Sequence, residues 1–212
     1  GREETPHLLV MTATPIPRTI AMTVFGDLDV TLMRGLPPGR KPVQTHLVNS
    51  ANQAWMDRLW ERAREEVEAG GRVYVVCPRI EVGEDTPAPP GVGAPQPGTA
   101  APQPGTAASD MPAAEVVVEQ LRALPVLADV DVALAHGRRR PEENAAAFAA
   151  FAEGSAGILV ATTVVEVGVD VPEATMMVIL GADRFGLSTL HQLRGRVGRS
   201  DRPSVCLLVS AP

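Results

Sequence analysis

An α/β domain built on a parallel, doubly wound sheet is what this sequence predicts, and three observations predict it. Short, nearly continuous apolar runs rich in Val, Ile and Leu recur along the chain, as strands buried on both faces require. Longer stretches with helical spacing lie between them, and that alternation is the mark of strand–helix–strand units. The chain has 212 residues, 45% hydrophobic and 21% charged, enough to bury one sizeable core; with 3% aromatic content the core falls to Val, Leu, Ile, Ala and Met.

The first residues fit this pattern least. His7–Met11 predicts one strand and Pro17–Val24 one short helix, and the breaker LPPGRKP follows at Leu36–Pro42. A lone strand and helix make no core, so residues 1–36 read as the edge of a preceding domain with a linker, and the chain as part of a longer protein. Beyond them Val43–Val48 predicts a strand. Asn52–Ala69 predicts a helix with Trp55, Leu59, Ala63 and Val67 at apolar spacing and Gly70-Gly71 as its stop. Arg72–Cys77 is the next strand. Residues 81–112 are dominated by Pro and Gly and repeat APQPGTA without change at Ala94–Ala100 and Ala101–Ala107, a composition that predicts a flexible loop. After it come a helix (Ala113–Ala123), a strand (Val130–Ala135), a helix opened by proline (Pro141–Ala152) and a strand (Gly157–Ala161). A strand (Thr175–Leu180), a helix near Ser188–Val197 and a last strand (Ser204–Val209) complete the pattern.

Composition also excludes. No apolar run approaches the ~20 residues of a membrane helix, and GREETPHLLV lacks the basic start and long apolar run of a secretory signal. Cys77 and Cys206 sit in apolar strand-like runs and read as inert buried thiols, consistent with a reducing cytosol. No Cys/His spacing suggests a metal site. The net charge of −6 argues against a protein that coats nucleic acid with its whole surface. Lys41 is the only lysine, so the remaining cations are arginines, and only their positions can tell functional from compositional ones.

Three segments carry unusual chemistry. Thr12-Ala13-Thr14-Pro15-Ile16-Pro17-Arg18-Thr19 follows directly on a strand, and small hydroxyl residues at the carboxyl end of a parallel strand lie where such sheets bind ligands; a strand-to-helix turn with Thr14 as cap reads the same residues equally simply. Ala161–Pro172 places two threonines after a strand and Gly168 and Asp170 about one helical turn later. Thr162 and Thr163 suit a phosphate oxygen or a helix cap, and Gly168 beside Asp170 suits close approach to a ribose or a tight turn. Gln192-Leu193-Arg194-Gly195-Arg196-Val197-Gly198-Arg199 holds three cations in eight residues. If the helix continues, Arg196 and Arg199 share a face with Gln192 one turn before, and two guanidiniums there call for an anion such as a triphosphate between them. The chain contains no GxxxxGK[ST] phosphate loop and no Asp-Glu pair after a strand to hold magnesium. It supplies arginines to a nucleotide without a cradle for one, which is half of a site.

In this order the three segments resemble motifs III, V and VI of superfamily 2 helicases: TATPIPRT, VATTVVEVGVDVPEA and HQLRGRVGRS. More narrowly, VMTATPIPRTIAMTVFGDLDV, LPPGRKPVQT, VYVVCPRIE, AHGR and DRFGLSTLHQLRGRVGR closely resemble the RecG family of bacterial ATP-dependent DNA helicases, over most of the chain outside the Pro-rich loop. The transcription-repair coupling translocases are similar in TATPIPRT and in motif VI and are the alternative; GDLDV and LPPGRKP favour RecG.

The resemblance implies a RecA-like doubly wound fold of the P-loop NTPase type. Residues 1–36 would be the edge of a first motor domain and 37–212 the second, with ATP and Mg2+ in the cleft between and held mainly by the first. It implies that Arg199 is the arginine finger, that Arg196 is a second γ-phosphate contact, and that Gln192 aligns the nucleotide. Gly168 and Asp170 would face the ribose and phosphates, and Thr162 a DNA phosphate. Thr12 and Thr14 would couple hydrolysis to domain movement, and His136, Gly137 and Arg138 would lie near the DNA path. The implied partners are branched or forked DNA and the first motor and wedge domains of the same parent, with no membrane. The implied role is fork remodelling and branch migration of Holliday-type junctions in cytoplasmic DNA repair and recombination. Arg138-Arg139-Arg140 is more basic than the family's usual segment.

Overall fold

The computed structural model describes residues 41–78, 114–162 and 171–211. The strand at His7–Met11, the helix at Pro17–Val24, Thr12, Thr14, the loop at 81–112, Thr163, Gly168 and Asp170 lie outside the described residues. Within them six strands form one sheet: β1 (Gln44–Asn49), β2 (Arg72–Val76), β3 (Val132–Ala135), β4 (Ile158–Ala161), β5 (Ala174–Leu180) and β6 (Val205–Ser210). The spatial order is β1-β6-β5-β2-β4-β3, and each neighbouring pair is parallel. The helices are α1 (Gln53–Glu68), α2 (Ala114–Ala123), α3 (Pro141–Glu153) and α4 (Leu187–Arg194).

Parallel strands need crossovers, and the crossovers cover both faces, so the central strand has no polar side. In β2, between β4 and β5, Val73, Tyr74, Val75 and Val76 are all buried. The pleat sends Val73 and Val75 into one core with Leu59, Trp60 and Ala63 of α1 and Val117, Val118 and Leu121 of α2. It sends Tyr74 and Val76 into a second core with Ala147 and Phe151 of α3 and Leu193 of α4. The rings of Tyr74 and Phe151 meet at 4.6 Å between centroids, tilted by 54°.

Several arginines close exposed backbone. Carbonyls Asp131 and Ala135 of the edge-strand segment face β4, and the outward carbonyls of Val132 and Leu134 accept hydrogen bonds from Arg122 (3.2 Å) and Arg139 (2.6 Å). An edge sealed in this way is a poor template for another strand. At the amino ends of the strands, Arg72 donates to the Phe151 carbonyl at the end of α3 (3.0 Å), and Arg202 donates to the Gly70 carbonyl after α1 (3.0 Å). Cations there satisfy carbonyls that the helix leaves open and oppose its negative pole. The guanidinium of Arg72 fills the place where a side chain at Gly154 would stand, and Gly154 ends α3 at φ +93°.

The structure corrects three expectations. Trp55 is 53% exposed, and Trp60 enters the core instead. The apolar stripe of α1 runs through Met56, Leu59, Trp60, Ala63 and Val67, and Trp55 stands one residue, about 100° of helix, away from Met56. The strand expected from Val130 begins at Val132. The helix expected near Ser188–Val197 ends at Arg194. Glu66, in register with the stripe, is also buried. Its carboxylate accepts from the Thr175 hydroxyl (2.6 Å) and from Arg62, so the charge is paired on entering the core.

Cys77 and Cys206 are both fully buried, as their apolar runs predict. Burial pushes the Cys77 thiol up to about 12 and Cys206 up to about 11. Because the thiolate is the reactive form, neither residue should be labelled by a thiol reagent at pH 8 in the native protein, and both should react once the chain is unfolded in guanidinium chloride. Stoichiometric native labelling would contradict this.

Candidate functional site

Every strand runs the same way, so the sheet has two chemically distinct ends, and the candidate residues divide between them. At the carboxyl end, β3 and β4 are neighbours with Ala135 opposite Ala161. That register brings together residues far apart in sequence: His136 follows Ala135, Thr162 follows Ala161, and the Thr162 N–H donates to the Ala135 carbonyl (3.4 Å). Thr162 is half-buried, whereas Gly137 and Arg138 are exposed on the turn after β3.

Three adjacent arginines on this turn have separate duties. Arg139 caps the Leu134 carbonyl. Arg140 is the N-cap of α3, where its N–H donates to the Glu143 carboxylate (3.1 Å) and its guanidinium lies 3.3 Å from the same group. The Arg140 side chain and backbone N–H hold Glu143 below the usual carboxylate range. Arg138 turns its side chain to solvent.

His136 is buried, and its ring is hydrogen-bonded on both nitrogens. Nδ1 accepts the Arg138 backbone N–H (3.2 Å), so Nε2 carries the proton and faces Oε1 of Glu115, in the first turn of α2, at 3.0 Å. Asn144, in α3, accepts the His136 N–H (3.2 Å) and donates to the His136 carbonyl (3.0 Å). Sequence reasoning did not find Glu115 or Asn144; the only trace is an Asn eight residues after the His, at the start of the next helix.

At the amino end lies the arginine-rich turn. α4 does not continue through it, so Arg196 and Arg199 are not placed by a regular helical face. Arg196 and Val197 donate to Leu193 and Arg194, three residues back, which tightens the last turn. Gly198 then takes φ +72°, and its N–H donates to the Ala174 carbonyl at the start of β5 (3.4 Å). Buried Val197 anchors the turn, and the Arg199 Nε donates to the Gly195 carbonyl (3.2 Å). Gln192, Arg196 and Arg199 are half-buried. The length of β5 separates this turn from the Thr162 end by ~20 Å at ~3.3 Å per residue. The structure therefore brings His136, Gly137, Arg138 and Thr162 to one end, and Arg196 and Arg199 to the other. Among the described residues no cluster of His, Cys, Asp and Glu is arranged to hold a metal ion, and no helix is long and apolar enough to cross a membrane.

Residues 110–201 match the helicase conserved C-terminal domain. The ATP-dependent DNA helicase RecG of Mycobacterium tuberculosis is 50% identical over 207 residues, which is 97% of this chain and 26% of that protein. RecG of Aquifex aeolicus is 43% identical, over 99% of this chain and 23% of its own length. A solved structure of RecG bound to a three-way DNA junction superposes with a TM-score of 0.67 at 39% identity, covering 94% of this chain and 22% of that one. The chain thus spans about a quarter of the length of the relatives it matches.

The arginine-rich turn depends on Gly198. A side chain there would require a left-handed backbone and would come within 2.7 Å of the Val43 side chain. Gly198→Ala should cost about 1–2 kcal/mol in urea unfolding. A stability equal to that of the unaltered chain would show that the turn relaxes freely.

Proposed function

Because this chain belongs to the RecG family of helicases by sequence and by fold, we propose that residues 37–212 are the second RecA-like motor domain of an ATP-dependent DNA helicase. Residues 1–36 form the edge of the first, with the linker between them. The observation that carries this reading is the placing of the two sets of polar residues at opposite ends of one parallel sheet, which lets one domain meet a nucleotide and DNA at separate surfaces.

The arginine-rich turn fits a polyanion: it offers fixed guanidinium groups, and the chain has no phosphate loop of its own. In this reading ATP and Mg2+ are held mainly by the first motor domain, and ATP supplies the phosphoryl group whose transfer drives the cycle. Arg199 is the arginine finger and Arg196 a second γ-phosphate contact, both supplying donors where negative charge develops. Gln192 aligns the nucleotide, and Gly168 and Asp170 face its ribose and phosphates. At the other end Thr162 meets a DNA phosphate, with His136, Gly137 and Arg138 beside the same strand. Thr12 and Thr14 couple the nucleotide state to movement of the two domains. The DNA is branched or forked and is drawn past a wedge domain of the same parent. The biological role is remodelling of stalled forks and branch migration of junctions in repair and recombination, in the cytoplasm.

The test is Arg199→Ala in the complete helicase that contains this chain. DNA binding should persist, while ATP turnover falls by about 10³–10⁵ and unwinding is lost. Near-normal ATPase activity in that variant would overturn the assignment.

A further inference from the structure

Arg138 stands on a turn that is held unusually firmly for an exposed strand-end loop. Its backbone N–H donates to Nδ1 of His136 (3.2 Å), the Arg139 N–H donates to the His136 carbonyl (3.1 Å), and Asn144 grips the His136 backbone on both its N–H (3.2 Å) and its carbonyl (3.0 Å). The imidazole that accepts from Arg138 is oriented at its other nitrogen by Glu115 at 3.0 Å. His136 is buried beneath this network, and Arg138 is exposed above it. The first turn of α2 and the start of α3 therefore meet at one histidine, which in turn holds the Arg138 backbone. An acidic residue at the foot of a nucleic-acid surface opposes a polyanion by charge, so its placing calls for a role other than attraction.

We propose that Glu115 and Asn144 are positioning residues that act through His136 to aim Arg138 at a nucleic-acid phosphate; this rests on the DNA-binding reading above. Pre-aimed donors lose less freedom on binding than free ones, so the arrangement contributes affinity without touching the ligand.

Charge and positioning predict opposite signs at Glu115. Removing an anion should tighten DNA binding, whereas removing the hydrogen-bond acceptor of Nε2 should weaken it. The experiment uses the 212-residue chain and a fluorescein-labelled forked duplex, with anisotropy read across a salt series. Arg138→Ala should lower affinity about tenfold at low salt and reduce the slope of log K against log salt by ~0.9. Glu115→Ala and Asn144→Ala should each weaken binding, and Glu115→Gln, whose amide oxygen still accepts, should restore it. In the Arg138→Ala background, Glu115→Ala should no longer weaken binding, because the positioning effect acts only through Arg138. Hydrogen exchange of the Arg138 amide, which needs no DNA, should accelerate in Glu115→Ala with the rest of the sheet protected. Tighter binding by Glu115→Ala, or an equal loss with and without Arg138, overturns the positioning role while DNA binding stands. Binding unaffected by Arg138→Ala removes Arg138 as the aimed group, and no binding by the unaltered chain overturns the DNA reading and the positioning role together.

Discussion

Six strands that all run one way leave the molecule no choice about where its chemistry goes. Each return from a strand's carboxyl end to the next strand's amino end must cross a face of the sheet, so both faces are spent on packing. Val73 and Val75 look into one core, Tyr74 and Val76 into the other, and neither face of β2 is free for a ligand. What remains are the two rims. The carboxyl rim carries His136, Arg138 and Thr162; the amino rim carries the arginine-rich turn tied to Ala174 by Gly198. On the function proposed above, those two surfaces are apart yet joined by a stiff sheet.

The same rims are where helix ends and strand edges expose backbone, and there the arginine-rich composition becomes structure. Arg72 and Arg202 occupy carbonyls at the ends of α3 and α1, and Arg122 and Arg139 occupy the outward carbonyls of β3. These groups are donors to neutral oxygen, all but that of Arg202 partly sheltered from water, where a planar guanidinium with several N–H groups does more than an ammonium. The exposed ion pairs along α1, such as Arg58 with Glu65 at 2.7 Å, are of a different kind and contribute little to stability. Sorting the arginines by what they touch separates Arg139 and Arg140, which hold the fold, from Arg138 beside them, which does not.

The strands were legible because a fully buried parallel strand must be apolar along its length, and VYVV, ILVA and ATMMVIL satisfy that without any knowledge of neighbours. The helix bounds were nearly as plain: Asn52 caps α1 and Pro141 opens α3. Trp55 misled because its spacing of four from Leu59 also fits a helical stripe, and only the angle at which α1 lies on the sheet decides which of two overlapping stripes is inward. The turn at Gly195–Arg199 misled because spacing cannot say whether a helix continues through glycine.

By itself the sequence determined the class of fold, the buried thiols and the motifs that mark this chain as a helicase relative, since these follow from local apolar runs and from residues contiguous in the chain. Strand order and register were beyond it, because pairing Ala135 with Ala161 depends on which faces the crossovers cover, a property of the whole packed sheet. Tertiary structure alone decided that Glu115 and Asn144 converge on His136. Each comes from a different helix, and hydrogen bonds of 3.0–3.2 Å between them exist only once both helices are seated against β3.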